Sequence, residues 1–168
     1  MKTKKKKTQK QKRRNDVPCM ASTVSSPCNP AELVSGDTVY PHRTDLKDKQ
    51  FYQCPDHPDH FVGCHPDTTI PLGSMASPEL RKLRSQVHRL FDPIWQDNDE
   101  LSRTKAYKWF AEQMELPSEV THVGMFNTQQ CNKAILLLNS FHETKKQRAH
   151  EQAQIDKWKP KEPLNFED

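Results

Sequence analysis

Apolar residues recur at helical spacing only in the second half of this chain. Leu80, Leu83, Val87, Leu90, Phe91 and Ile94 form one such run, and Ser77-Pro78 ahead of it supplies a cap and a proline suited to the first helical position. The pattern predicts a helix reaching about Trp95, bent at Asp92-Pro93 because proline removes an interior hydrogen bond. Ser102 caps a second predicted helix, in which Ala106, Tyr107, Phe110 and Met114 lie opposite Lys108, Glu112 and Glu115, and Pro117 ends it. Asn127-Thr-Gln-Gln130 has the form of a capping box, and the helix behind it places Cys131, Ala134, Ile135, Leu138 and Phe141 on one stripe. Past Phe141 the stripe fails, so residues 142–158 are expected to be a solvated helical extension fraying into a proline-broken end.

The first half shows short runs instead. Leu33, Val34, Val39 and Tyr40 around Ser35-Gly36-Asp37 predict a hairpin, and Phe51-Tyr52-Gln53 and Phe61-Val62 predict strands on either side of a proline-spaced cluster. The resulting fold class is α+β: a small zinc-ribbon-like β module followed by a three-helix bundle. The expected organisation is a disordered basic tail over 1–18, a ribbon-like module over 19–72, a small helical domain over 73–141, and a polar helical extension and tail over 142–168. Only 33% of the residues are hydrophobic, and thirteen prolines stand against four glycines. A loop-rich half with so little to bury needs a staple such as a metal.

The candidate staple is written at residues 54–65, where Cys54, His57, His60, Cys64 and His65 crowd into twelve positions. Thiolate and imidazole are the donors Zn²⁺ prefers in structural sites. Cys28 and Cys54 are the leading ligands, His57 supplies a short chelate spacing to Cys54, and Cys19 is the fourth candidate, with Cys64 and His60 as alternatives. The position three before Cys28 is Ser25, whose neutral hydroxyl is a poor zinc ligand. Five cysteines also fit metal ligation and core packing better than disulfides in a reducing cytoplasm, the expected location, and Cys131 on its apolar stripe reads as a buried thiol.

Charge adds a second candidate chemistry. The net charge is +4, yet residues 2–14 hold nine Lys or Arg and no acid, which leaves 17 basic against 22 acidic residues elsewhere. Lys4, Lys5, Lys6, Lys7, Arg13 and Arg14 are therefore candidate phosphate contacts, and Arg81 and Arg84, flanking the first apolar stripe with His88, are candidate contacts on a rigid surface. Trp95, Tyr107, Trp109 and Phe110 suit base stacking in chemistry, but their helical spacing places them in a core. DNA or RNA is the expected partner and a host protein the alternative. No apolar run approaches the roughly 18 residues of a membrane span. No catalytic residue is assigned: a metal-dependent nuclease using His65, His88, Asp92 or His122 has no independent support in the spacing, and His122 reads as a turn cap.

Taken in order, Cys64-His65-Pro66, Pro71-Leu72-Gly73, Leu80-Arg81, His88, Phe91-Asp92-Pro93-Ile94-Trp95, Ser102-Arg103, Ala106-Tyr107-Lys108-Trp109 and His122-Val123-Gly124-Met125-Phe126-Asn127 with Cys131 carry a resemblance. The chain resembles, over about Cys28 to Leu138, a zinc-finger-containing domain of unknown function found in bacteriophages and in prophage or mobile-element regions of bacteria. The resemblance implies a ribbon followed by a small helical bundle, and two Cys-x-x-Cys pairs flanking segments matched here by Pro30-Ala31-Glu32-Leu33-Val34 and Phe61-Val62-Gly63. Cys28 and Cys54 occupy ligand places of that pattern, whereas Ser25 and His57 stand where cysteines are expected. It implies a bacterial-host setting and no reaction.

Overall fold

A three-stranded antiparallel sheet and a layer of helices follow one another in the computed structural model, which describes residues 17–96 and 102–158. The expected tail lies almost wholly outside the described residues, as does the proline-broken end beyond Trp158. Packing is already present at Val17, which is buried, while the Pro18 carbonyl accepts from Met75 N–H at 2.9 Å.

The strands are β1 Glu32–Ser35, β2 Gln50–Gln53 and β3 Phe61–Gly63, in that spatial order, with Leu33 opposite Tyr52 and Tyr52 opposite Val62. The hairpin expected to return at Val39 and Tyr40 is replaced by a short helix, α1 Gly36–Val39, and a 3-10 turn at Thr44–Leu46, so that β1 pairs with β2. Local chemistry explains the difference. Ser35 Oγ donates to Asp37 Oδ1, and that carboxylate also accepts from Thr38 N–H, which starts a helical turn where a tight hairpin would leave these groups to water. Gly36 meets the returning chain so closely that a Cβ there would lie 1.7 Å from the Leu46 carbonyl oxygen. Tyr40, turned inward by this loop, packs edge to face against Phe51 and Phe61 at centroid distances of 5.7 and 5.3 Å.

The helical layer contains α2 Pro78–Phe91, α3 Pro93–Gln96, α4 Arg103–Met114 and α5 Thr128–Trp158. Four helices thus stand where three were expected, because Pro93 divides the first into α2 and α3. The caps fall where the sequence puts them: Ser77 Oγ accepts from Leu80 N–H, Ser102 Oγ from Lys105 N–H, and Asn127 and Gln130 bond reciprocally at 2.9 Å. At the far end of α4, Glu115 adopts a left-handed conformation with φ of 58°, and Lys133 of α5 donates both to its carboxylate at 2.6 Å and to the Met114 carbonyl. That lysine satisfies one of the carbonyls a helix end leaves open.

Two apolar clusters result. Phe91, Phe110 and Phe126 sit at the centre of the helical one, with Phe91 and Phe110 stacked at 4.6 Å, and Cys131, Ala134 and Leu138 face it from α5. Tyr107, Trp109, Ile135 and Phe141 pack at its edge, so the aromatic residues of the second predicted helix belong to packing. The second cluster lies under the sheet and joins Val17, Cys19, Ala31, Tyr52, Cys54 and Met75.

Between the clusters lies a polar node. Arg84, expected on a phosphate-facing stripe, is only 7% exposed; its Nε donates to the Phe126 carbonyl at 2.9 Å, and its two terminal nitrogens donate to the Ser74 carbonyl and Ser74 Oγ at 2.9 and 2.7 Å. It stands four residues after Leu80 and three before Val87, inside the buried stripe, and its three donor nitrogens are engaged by protein acceptors. Arg84→Met should therefore cost on the order of 3 kcal/mol, since it orphans buried acceptors that a charged donor now satisfies. Denaturant unfolding compared with the exposed control Lys82→Met checks this; equal midpoints for the two variants would refute the role given to the guanidinium.

Candidate metal centre

Three segments of chain deliver four ligand atoms to one place. The Sγ atoms of Cys19, Cys28 and Cys54 and one ring nitrogen of His57 lie within 4.8 Å of one another, the one such group found among the described residues. Cys19 arrives on a segment that pairs with Met75, and Cys28 on a loop whose backbone N–H is held by Ser22 Oγ at 3.0 Å. Cys54 and His57 come from the turn after β2, closed by a Cys54 N–H to His60 carbonyl bond of 3.0 Å and a His60 N–H to His57 carbonyl bond of 2.8 Å.

The spacing of these atoms fits a tetrahedral ion. His57 Nδ1 lies 3.5 Å from Cys28 Sγ and 3.6 Å from Cys54 Sγ. A tetrahedron with zinc–sulfur bonds of about 2.3 Å and zinc–nitrogen bonds of about 2.0–2.1 Å has sulfur–nitrogen edges of about 3.6 Å. Cys19 and Cys54 are buried and Cys28 and His57 half-buried, so the donors form a largely closed set. Burial pushes the Cys19 thiol up to about 12, with the neighbouring Cys54 sulfur adding to the effect. Burial also raises Cys28. At Cys54 burial acts in the same direction, but hydrogen bonds from His57 and from the backbone of the turn outweigh it and bring the thiol below its ordinary value. The three thiols thus differ in how readily each ionises, and a bound dication would favour the thiolate at all three.

His60 and Cys64, the alternative ligands, are placed differently. His60 Nδ1 reaches Cys19 Sγ at 3.2 Å and its ring stacks on that of His57 at 5.0 Å, so it supports the cluster from outside the four-atom group. Cys64 pairs through its backbone with Gln50 and Pro71 and contributes no atom to the group. Ser25, on the exposed side of its loop, bonds to Thr23 at 3.3 Å. A contact not anticipated in the sequence locks the two ligand loops together: Asp56, between Cys54 and His57, accepts from both the backbone and the side-chain amide of Asn29, next to Cys28. Those bonds hold the Asp56 carboxyl below the usual carboxylate range. Its signal was present only as an aspartate inside a ligand turn.

The other candidate residues scatter. Arg81 lies over the Phe61 ring at 3.5 Å and its Nη1 donates to the carbonyls of Asp59 and Ala76. His122 Nδ1 accepts from Gly124 N–H at 3.1 Å, as a turn cap does, and Cys131 is fully buried with its thiol pushed up by burial. His88 faces Asp92 one turn along α2 at 3.5 Å, and His65, His88, Asp92 and His122 form no second group of ligand atoms among the described residues. Lys4, Lys5, Lys6, Lys7, Arg13 and Arg14 lie outside the described residues. No helix among the described residues is long and apolar enough to cross a membrane.

Comparison with known sequences agrees with this geometry. The sequence model of a family described as a zinc-finger-containing domain matches residues 22–141, an interval that includes Cys28, Cys54 and His57 and begins just after Cys19. No curated protein and no solved structure matches the chain. With most of its length covered by that match, the chain belongs to a family of zinc-finger-containing domains of unknown function, and it carries a cysteine–histidine cluster.

Proposed function

We propose that this chain is a zinc-stapled nucleic-acid-binding protein, in which Cys19, Cys28, Cys54 and His57 hold one Zn²⁺. The observation that carries the metal assignment is the convergence of these four donors within 4.8 Å from three separate segments of the chain. In this reading Cys19 takes the place left by Ser25, which explains why the cluster reaches outside the matched interval. Four protein donors complete a tetrahedron and leave no position for a substrate, so the zinc is structural. It would tie the N-terminal segment to the sheet where apolar burial is sparse.

Nucleic-acid binding is supported by charge. Nine Lys or Arg without an acid in residues 2–14 provide a grip that releases counterions from a phosphate backbone, and Lys4, Lys5, Lys6, Lys7, Arg13 and Arg14 carry most of it. Arg84 is excluded from that grip by its burial. A protein partner is the second reading, favoured by Ile155 and Trp158 on the exposed end of α5, at 55% and 90% exposure. A bacteriophage or prophage setting in a bacterial cytoplasm goes with either reading and rests on the sequence resemblance.

Purified protein should carry about one zinc per chain by elemental analysis. Cys54→Ser should lose it and Cys64→Ser should keep it; retention in both would remove the assigned ligand set. Zinc affinity should fall as the pH is lowered, because ligation requires thiolates and a neutral imidazole and each proton gained competes with the metal. Competition with a zinc chelator over a pH series reads this directly.

Binding of the full chain to labelled single-stranded nucleic acid should weaken with salt. If six phosphates are engaged, the log–log slope is about −4, and changing Lys4, Lys5, Lys6, Lys7, Arg13 and Arg14 together to Gln should remove most of it. A slope that ignores these six changes would disprove the role of the tail.

A further inference from the structure

Between the sheet and the helices lies a cleft of about 880 Å³ that the metal centre does not use. Its wall is basic: Arg81, Arg103 and Lys108 line it together with the imidazoles of His65, His88 and His122, the mostly buried Arg84 also borders it, and Glu119 is the one carboxylate among the described lining residues. These groups come from four separate pieces of structure, namely the loop after β3, α2, the start of α4 and the 3-10 turn at Val123–Met125. The His122 ring is held below its ordinary value, first by burial and then by the basic groups around it. Like charges gathered across a cleft raise the energy of the empty protein, and an anion placed among them relieves it.

The floor has a different chemistry. Phe61, Leu72 and Tyr107 line the same cleft, and two arginines lie against aromatic faces there: Arg81 over Phe61 at 3.5 Å and Arg103 over Tyr107 at 4.9 Å. Guanidinium planes backed by rings are surfaces on which an unpaired base stacks. Because Nδ1 of His122 accepts from Gly124 N–H, the neutral ring carries its proton on Nε2 and remains a donor. Donors for phosphate therefore stand beside an apolar floor for bases. A duplex keeps its bases paired and away from such a floor; a single strand presents both parts at once.

We propose that the cleft between the sheet and the helical layer binds single-stranded nucleic acid, with phosphates on Arg103, Lys108 and the histidines and bases against the Arg81–Phe61 and Arg103–Tyr107 pairs. This inference rests on the nucleic-acid reading above and gives it a site and a strand preference that the tail alone would lack.

The test uses the full chain and fluorescein-labelled oligothymidylate and oligouridylate of about 15 nucleotides, with a duplex of the same length for comparison, by anisotropy at fixed salt. The wild type should bind single strands more tightly than duplex. The double variant Arg103→Glu with Lys108→Glu should weaken single-strand binding about tenfold or more and abolish the preference, while the tail variant should weaken single strand and duplex alike and preserve the preference. Should Arg103→Glu lower the thermal midpoint by disturbing its aromatic contacts, Lys108→Glu alone carries the comparison with a smaller loss expected. Unchanged strand preference in a folded cleft variant, or equal wild-type binding of duplex and single strand, overturns the cleft while leaving a binding tail. Failure of the wild type to bind any of the three probes overturns the cleft and the nucleic-acid reading together.

Discussion

The arrangement of both layers depends on an almost fully buried cation. Arg84 offers three guanidinium nitrogens to the carbonyls of Ser74 and Phe126 and to Ser74 Oγ, so one side chain joins the segment leaving the sheet, helix α2 and the turn that leads into α5. Burial penalises its charge and pulls its pKa down, and no carboxylate is needed to compensate because oriented carbonyl dipoles do the work. The surroundings leave little slack. A Cβ at Gly73 would lie 2.0 Å from the Gly124 oxygen, the same oxygen that accepts from Ser74 N–H at 3.0 Å. Close backbone approach and a buried arginine are two parts of one joint.

That joint sets where the chemistry can lie. Met75, adjacent to Ser74, pairs with the strand of chain carrying Cys19, so the ligand cluster is positioned from the same linker that fixes α2. On the other side, His122 and Gly124 line the basic cleft, and Ser74 Oγ and Arg84 donate to the carbonyls of Gly124 and Phe126 in their turn. The metal centre and the cleft thus share a mechanical base without sharing residues.

The helical half was largely legible in the sequence because its signals are local: Ser77, Ser102 and Asn127 each cap the helix they precede, and the apolar stripes match the buried faces. The loop from Ser35 to Lys49 was not, because its helical turn rests on the Asp37 carboxylate and its return on the Leu46 carbonyl packing onto Gly36, and apolar periodicity records neither. Arg84 was misplaced for another reason. Its charge argued for a stripe flanking the apolar one, although its spacing from Leu80 and Val87 puts it on the buried face. Among the clustered donors, Cys28, Cys54 and His57 were candidates by their spacing and Cys19 the preferred fourth with Cys64 and His60 as alternatives, and the fold brings the Cys19 sulfur, not that of Cys64, into the group.

Helix α5 runs past the body that anchors it. Arg148 still lines a groove with Trp109 and Phe141, but residues 149–158 are exposed throughout, an arm of about 15 Å. A globule of this chain length has a radius of gyration of about 15 Å. The arm therefore reaches about one radius of gyration along α5 into solvent, and Trp158 at its end meets water while Trp95 and Trp109 pack in the helical layer.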